Sequence, residues 1–134
     1  MATIFSKIVK GEIPSYKVAE NDKYYAFLDI NPLVIGHTLV IPKEETDWLF
    51  DLSDENLGGI MVFAKKVAKA INKTYPDRRV GMAVIGFDVP HAHIHLVSMQ
   101  SMQDIDFNRP RIKLSKEEFQ KIAKEIAENV VDSV

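Results

Sequence analysis

The spacing of apolar positions along the chain predicts a short helix, several strands and two longer helices. Apolar side chains recur at helical spacing between Thr3, which can cap a helix, and Gly11, which can end one. Alternating or continuous apolar runs bounded by turn residues then predict strands. These strands are expected at residues 16–20, 24–30, 37–41, 80–85 and 91–99.

From Ser53 onward the apolar spacing becomes helical again. One stripe carries the apolar side chains of Leu57, Ile60, Met61, Ala64, Val67, Ala68 and Ile71. The pair Gly58-Gly59 is interpreted as a point of close packing, because no P-loop motif accompanies it. A last helix is expected at residues 116–131, where Ser115 and Glu118 have the spacing of a capping box.

The order of these elements predicts the fold class. Short strands joined at hairpin-like spacings favour an α+β fold with an antiparallel sheet of about five strands, a central helix and a C-terminal helix. At 134 residues the chain is expected to form a single domain over 1–134.

Composition then excludes several classes of function. The chain has 17 Lys and Arg against 19 Asp and Glu, a net charge of −2, so neither nucleic acid nor an anionic membrane is expected as a partner. Because there is no cysteine, disulfides, thiolate zinc sites and cysteine nucleophiles are excluded. The apolar runs are too short to span a bilayer, and residues 1–10 lack the apolar core of a signal peptide. We expect a cytoplasmic protein.

Three of the four histidines form a row, His91, His93 and His95. Side chains alternate between the faces of a strand, so these three point the same way, about 6.5–7 Å apart. The intervening Ala92 and Ile94 face the core instead. Clustered imidazoles contribute little apolar burial and disfavour one another's protonation, so the row indicates a functional site.

Two chemistries fit such a row. Three neutral imidazoles can hold a zinc ion and leave a fourth position open. Alternatively, one imidazole can attack phosphorus while its neighbours hold oxygens and protonate the leaving group. The spacing does not separate these options, and His37 fits either.

The segment Pro90–Val97 resembles the His-x-His-x-His-apolar-apolar signature of the histidine triad family, whose members bind nucleotides and hydrolyse or transfer nucleotidyl groups. Residues 4–14, 26–32 and 36–43 resemble the other landmarks of that family, in the same order. The resemblance covers residues 3 to about 100, and the first half is most similar to the Hint branch. Residues 101–134 form an extension, whose amphipathic helix must pack on the sheet, at a dimer interface or beside the site.

The resemblance implies a role for each histidine. His93 would be the nucleophile that forms a transient nucleotidyl-histidine. His91 would orient His93 through its backbone carbonyl, which accepts the other ring N–H. His95 would donate to phosphate or leaving-group oxygens, and His37 would support the cluster.

The resemblance also implies a nucleotide site. The carboxylate of Asp29 would accept hydrogen bonds from the ribose, and backbone N–H groups around Asp88 and Val89 would hold the α-phosphate. The base pocket would be lined by Phe5, Ile8 and Phe27, and Ile30, next to Asp29, is also expected among the nucleotide-binding residues. Without the resemblance, Phe5, Ile8 and Phe27 are interpreted as core residues and Asp29 as a turn cap.

The chain departs from its relatives in two further places. Many relatives bind a structural zinc with Cys-x-x-Cys and a histidine, where this chain has Thr3, Ser6 and Glu45, so no metal site is expected. The loop before the row is short, and Asp88 stands near a position where relatives have a hydroxyl. A carboxylate repels phosphate unless it is protonated or turned away. Arg109 and Arg111 are interpreted as solvated loop charges.

Together with the resemblance, these observations predict a hydrolase or nucleotidyltransferase that cleaves the α-phosphate bond of a purine nucleoside monophosphate derivative, such as a phosphoramidate or a dinucleoside polyphosphate, through a nucleotidyl-histidine. The leaving group stays open between an amine, an amino acid, a second nucleotide and a sulfate. No cofactor is required, although a polyphosphate substrate can arrive with magnesium. The family also implies a homodimer. A nucleotide-binding module without turnover and a metalloprotein built on the histidine row are the alternatives.

Overall fold

The computed structural model describes residues 2–130, which form a five-stranded sheet with α-helices on both of its faces. The elements in chain order are α1 (Ile4–Val9), β1 (Lys17–Glu20), β2 (Tyr24–Leu28), β3 (Thr38–Pro42), α2 (Asp54–Thr74), β4 (Arg79–Ala83), β5 (Ile94–Met99) and α3 (Lys116–Asn129). The strand order is β1-β2-β3-β5-β4, and every pair is antiparallel. The predicted α+β class is confirmed. The expected end of the last helix, at residue 131, lies outside the described residues.

The main core lies where α2 and α3 cover one face of the sheet. Strand residues that alternate toward this face, including Ala26, Val40 and Ile94, are fully buried against the apolar stripes of the two helices. The predicted close packing of the glycine pair is confirmed at Gly59, where a Cβ would collide with the Tyr24 hydroxyl, but not at Gly58, where a Cβ would meet nothing within 4 Å. That hydroxyl donates a hydrogen bond to the backbone of α2.

The opposite face of the sheet packs against α1. The alternate residues of β2 and β3 form a second apolar cluster with this helix, made of Phe5, Ile8, Tyr25, Phe27, Leu39 and Ile41. Leu39 pairs with His95 in the register of β3 and β5. The register therefore places His95 on the α1 face, next to this cluster.

Several strands are shorter than the sequence predicts, and the difference matters most at the histidine row. Strand β5 begins at Ile94, so His91 and His93 precede it. The cause is a tertiary contact with a loop, because the Ala92 N–H donates to the carbonyl of Thr46, at 2.6 Å, rather than to a neighbouring strand. The alternation still holds: Ala92 and Ile94 enter the main core, as predicted.

The extension after residue 100 does two things. Helix α3 covers the sheet beside α2 and β1, and Phe119 stacks on Tyr16 with ring centroids 4.9 Å apart. The segment that leads to α3 is tied to the loop before β3, because the Ile112 N–H donates to the Pro32 carbonyl at 3.0 Å. Within residues 2–130 no helix combines the length and the apolar character needed to cross a bilayer.

Candidate active site

Four buried imidazoles lie together on the α1 face of the sheet. Their exposed fractions are 1% for His37, 0% for His91, 1% for His93 and 5% for His95. The ring of His95 has its centroid 5.1 Å from that of His93 and 5.2 Å from that of His37. Pairing of β3 with β5 brings His37 to this row, since His37 directly precedes β3. The four predicted catalytic residues therefore share one cluster.

One chain of hydrogen bonds sets the proton on His95. The Leu33 N–H donates to Nδ1 of His37 at 3.0 Å, so a neutral His37 carries its proton on Nε2. This Nε2–H lies 3.0 Å from Nδ1 of His95 and donates to it. Because Nδ1 of His95 accepts, its proton is on Nε2. His95 therefore presents an N–H donor to the site.

A second hydrogen bond places the proton of His93 on Nδ1, whereas that of His95 is on Nε2. Nδ1 of His93 lies 2.8 Å from the backbone oxygen of His91, and a carbonyl only accepts, so Nδ1 carries the proton. The predicted hydrogen bond to the His91 carbonyl is thus present. Nε2 of His93 is left with a lone pair, and it is buried without a hydrogen-bond partner. A buried acceptor without a partner is costly, and such atoms are concentrated at functional sites.

His91 is itself held at both ring nitrogens. Its Nε2–H donates to the Pro42 carbonyl at 2.8 Å, and its Nδ1 accepts from the Thr3 hydroxyl at 2.7 Å. The Thr3 oxygen also accepts the Ser6 N–H, at 3.0 Å, as the cap of α1. The sequence indicates the capping role of Thr3, but the contact with His91 is a tertiary one that no local pattern reveals.

The same residues test whether a structural zinc ion fits here. Thr3, Ser6 and His91 are joined by hydrogen bonds, and the Thr3 N–H lies 3.4 Å from a carboxylate oxygen of Glu45. Two hydroxyls, one carboxylate and one imidazole do not match the thiolate and imidazole sets that hold structural zinc. The donor set does not fit the metal, and hydrogen bonds join these residues instead.

Burial favours the neutral form of His37, His91 and His95. Desolvation, followed by the neighbouring His95, lowers the pKa of His37 to about 3. Desolvation, followed by the neighbouring His93, lowers the pKa of His95 to about 4. Burial also lowers the pKa of His91. A neutral His37 and a neutral His95 at pH 7 are what the hydrogen bonds from Leu33 to His95 require.

Asp29 caps a turn with one carboxylate oxygen and directs the other toward the histidines. One of its carboxylate oxygens accepts the Asn31 N–H at 2.8 Å, which caps the turn before β3. The other oxygen faces the cluster, 3.7 Å from Nε2 of His37. Burial raises the pKa of Asp29. Within the described residues, Asp29, His37 and His95 are the group whose ligand atoms converge to within 4.8 Å, whereas the predicted metal alternative used the His91–His93–His95 row.

The residues expected to line a base pocket separate into two groups. Phe5, Ile8 and Phe27 are almost fully buried in the cluster under α1, with Val89 packed against it. The edge of the Phe5 ring meets His93, with centroids 5.2 Å apart. Ile30 is 67% exposed and lines a different groove, between residues 14–17 and α3. The structure therefore brings Phe5 and Val89 to the histidines but not Ile30.

Asp88 lies beside the open nitrogen of His93. Its carboxylate oxygen is 3.2 Å from Nε2 of His93, yet the pair does not have hydrogen-bond geometry. The same oxygen accepts the Val89 N–H at 3.1 Å, so this expected phosphate donor is engaged by Asp88 in the present state. The Asp88 side chain is 70% exposed and is free to rotate away.

Phe107 and Arg111, from the extension, complete the cleft. The edge of the Phe107 ring meets His95, with centroids 4.7 Å apart, and Arg111 lies 5.7 Å above the centre of the same ring. These residues line a cavity of about 200 Å³ together with Asp29, Asp88 and His95. Arg109, by contrast, forms an ion pair with Asp104 at 2.8 Å. Arg111 is an exposed loop residue, as the interpretation of a solvated charge requires, and the link between Ile112 and Pro32 places its segment at the cleft.

A buried imidazole lone pair beside an imidazole N–H donor defines a site suited to nucleophilic attack and proton donation at phosphorus. The HIT domain matches residues 10–102 of this chain. A Schizosaccharomyces pombe protein named adenosine 5′-monophosphoramidase is 37% identical over 132 residues, which cover 97% of this chain and 99% of that protein. The chain belongs to the histidine triad family.

Solved structures of relatives have the same fold. A Hit-like protein from Bartonella henselae is 31% identical and aligns over 95% of each chain with a TM-score of 0.81. A histidine triad nucleotide-binding protein from Candida albicans is 29% identical and aligns over 95% of this chain and 96% of its own, with a TM-score of 0.69. The resemblance noted in the sequence is therefore confirmed for family and fold.

Proposed function

We propose that this protein is a hydrolase of purine nucleoside 5′-phosphoramidates that acts through a nucleotidyl intermediate on His93. The observation that carries the proposal is the pair of opposite ring states, a lone pair on Nε2 of His93 beside an N–H on His95. The name of the S. pombe relative, adenosine 5′-monophosphoramidase, supports the choice of an amine as leaving group.

The proposed reaction has two displacements at phosphorus. In the first, Nε2 of His93 forms a bond to phosphorus while the bond to the leaving nitrogen breaks. That nitrogen accepts a hydrogen bond from the N–H of neutral His95, takes its proton from solvent and departs as the amine. In the second, water attacks phosphorus, gives up a proton to solvent and displaces His93, which recovers its lone pair. Each in-line displacement inverts phosphorus, so the complete reaction retains configuration.

The other substrate contacts follow from the lining of the cleft. The oxygen of Asp29 that faces His37 is available to ribose hydroxyls, and the base would enter beside Phe5. Arg111 supplies a positive charge for the α-phosphate. No protein-bound metal takes part in the proposed steps, and the need for magnesium with polyphosphate substrates stays a prediction, as does the cytoplasmic location.

The test is release of AMP from adenosine 5′-phosphoramidate by chelator-treated protein, wild type beside His93→Ala. We expect the variant to lose about three or more orders of magnitude in kcat while it still binds AMP, because only the nucleophile is removed. A variant that keeps the wild-type rate would contradict the assignment of His93. Equal inactivity of both proteins, with AMP bound, would support the nucleotide-binding module instead.

We further propose that two copies form the homodimer that the family implies. Strand β4 is at one edge of the sheet, and the apolar side chains of Met82 on this strand and of Val84 and Ile85 just after it are exposed. Met61 and Val62 are exposed on α2, which packs against β4. Edge-to-edge pairing of two β4 strands would cover these side chains.

The oligomeric state can be measured by light scattering. Val62→Glu is expected to shift the mass from two chains toward one, because it places a charge on the proposed interface. Met102→Glu is the matched control, since Met102 is an exposed apolar residue outside this surface. A wild-type mass of one chain at every concentration would rule out the dimer.

A further inference from the structure

Asp88 occupies a position that the catalytic scheme does not use. Its carboxylate oxygen lies 3.2 Å from Nε2 of His93. Reacting atoms in a productive complex are about 3–3.5 Å apart, so this oxygen takes up the space that phosphorus needs. The carboxylate must therefore move when substrate binds.

The movement available to Asp88 is small. Its side chain is 70% exposed and can rotate, but Val89, the next residue, packs against the apolar cluster under α1. Rotation about the side-chain bonds therefore takes the carboxylate away from Nε2 while the Asp88 backbone stays at the cleft. The negative charge then stays beside the phosphoryl group.

The negative and positive charges that line the cavity around Asp88 are unequal in number and in position. Asp88 and Asp29 are the carboxylates that line the cavity, and Arg111 is the cation. Asp29 lies on the inner side, where only 15% of its side chain is exposed, and it faces His37. Arg111 donates to the Asn31 carbonyl at 2.6 Å, on the same side as Asp29. Because Asp88 reaches the buried Nε2 of His93 from the exposed side, its charge lies on the outer side of the cleft, opposite His93, and an in-line leaving group departs on that side.

We infer that Asp88 selects the leaving group by its charge, so that the preferred substrates are phosphoramidates of amines that carry a further positive charge. This inference rests on the proposed function, and it specifies the substrate class. A cationic leaving group is attracted by the Asp88 carboxylate, whereas an anionic leaving group is repelled by it. The same repulsion weakens binding of the AMP product, whose phosphate carries up to two negative charges.

Three adenosine 5′-phosphoramidates of equal length test the inference. Their amines are 1,4-diaminobutane, which is cationic at its free end, butylamine, which is neutral, and 4-aminobutanoate, which is anionic. For charges about 7 Å apart in a water-like medium, each step in charge is expected to change kcat/KM by about threefold. The wild type should therefore prefer the cationic substrate to the anionic one by about tenfold, and added salt should reduce this preference.

Asp88→Asn keeps the shape of the side chain and removes its charge. We expect the preference of this variant to fall to within about twofold and its affinity for AMP, measured by calorimetry, to rise about threefold. Asp22→Asn is the control, because it removes the same charge from an exposed turn between β1 and β2. It should keep the wild-type preference and AMP affinity.

The outcomes separate this inference from the proposed function. If the wild type hydrolyses none of the three substrates, the proposed function fails and the inference fails with it. If all three are hydrolysed but Asp88→Asn keeps the wild-type preference, only the inference is overturned. A wild type that prefers the anionic substrate overturns it as well.

Discussion

Two chains of hydrogen bonds enter the histidine cluster from different sides, and they leave its two central rings in opposite states. From Leu33 the chain passes through His37 and ends with an N–H on His95. From the carbonyl of His91 a single hydrogen bond fixes the proton on Nδ1 of His93 and leaves the lone pair on its Nε2. Both chains start at a backbone group, which can only donate in the first case and only accept in the second. The backbone thus assigns different chemistry to two identical side chains.

The residues that surround the two rings also differ. His95 lies against Phe107, with Arg111 above that ring. His93 lies against Phe5 and has the Asp88 carboxylate beside its open nitrogen. The donor side of the site therefore carries Arg111 and Asp29, which have opposite charges, whereas the acceptor side carries the negative charge of Asp88. Because different residues surround the two rings, the two halves of the site can be disturbed separately.

The largest expected effect comes from removing the donor. His95→Phe is expected to lower kcat for adenosine phosphoramidate by about 10²–10⁴, because the leaving amine loses the N–H donor that assists its protonation. The loss should be much smaller for an AMP ester of 4-nitrophenol, which leaves without a proton. Comparing the two substrates measures the donor role, and equal losses on both would argue against it.

The next effect concerns the charge on the donor side. Arg111→Gln is expected to raise KM by about tenfold or more, because it removes the cation available to the phosphate. Arg109→Gln is a matched control, since it removes the same charge from a residue that pairs with Asp104 outside the cleft. Steady-state kinetics of both variants decides the point, and indistinguishable KM values would exclude a specific role for Arg111.

The neutral state of the donor chain can be tested through stability. Burial lowers the pKa of His37 to about 3 and that of His95 to about 4, from an ordinary 6.5, so between pH 4 and 6.5 the unfolded chain binds more protons than the folded one. The free energy of unfolding should therefore decrease as the pH is lowered through this range, by up to about 1.4 kcal/mol per pH unit and per histidine. Urea titrations at pH 5 to 7 measure the slope, which should be shallower in His95→Phe. An unchanged slope would show that His95 is not held neutral.

The smallest expected effect comes from removing the hydroxyl that holds His91 in place on the acceptor side. Thr3→Val leaves Nδ1 of His91 without its donor, and the carbonyl that holds His93 should be less well fixed. We expect kcat to fall by about fivefold with AMP affinity unchanged, and Thr3→Ser should restore the wild-type rate. Since the loss of the cap alone lowers stability by about 1 kcal/mol, unfolding is measured in parallel. A fall in stability with unchanged kcat would show that Thr3 acts only as the cap of α1.

Local patterns were sufficient to predict the elements and the common face of the histidine row. Alternation correctly separated Ala92 and Ile94 from the histidines, because the period of extended backbone is independent of tertiary context. The start of β5 was not predictable, since it depends on the Thr46 carbonyl competing for the Ala92 N–H. Strand order likewise depends on which long-range pairing buries the most apolar surface.

The chemistry of the site was predictable only in outline. The motif indicated which rings meet, and the resemblance implied the bond between His93 and the His91 carbonyl. The proton positions on His37 and His95 depend on the Leu33 N–H, which no side-chain pattern marks. Phe107 and Arg111 come from the extension, beyond the residues that resemble the family, and only tertiary packing brings them to His95.

The use of the Leu33 amide has a consequence for mutational scanning. The Leu33 side chain is fully buried, in a small cluster with Val34 and Val97, so most substitutions at this position report on packing. Every residue except proline still provides the N–H that His37 accepts. An ester in place of this one amide would leave the side chain intact and remove the donor, while weakening the Pro32 carbonyl as the acceptor of the Ile112 N–H. Replacing a single main-chain atom would then release the ring state of His95, although every side chain of the histidine row is unchanged.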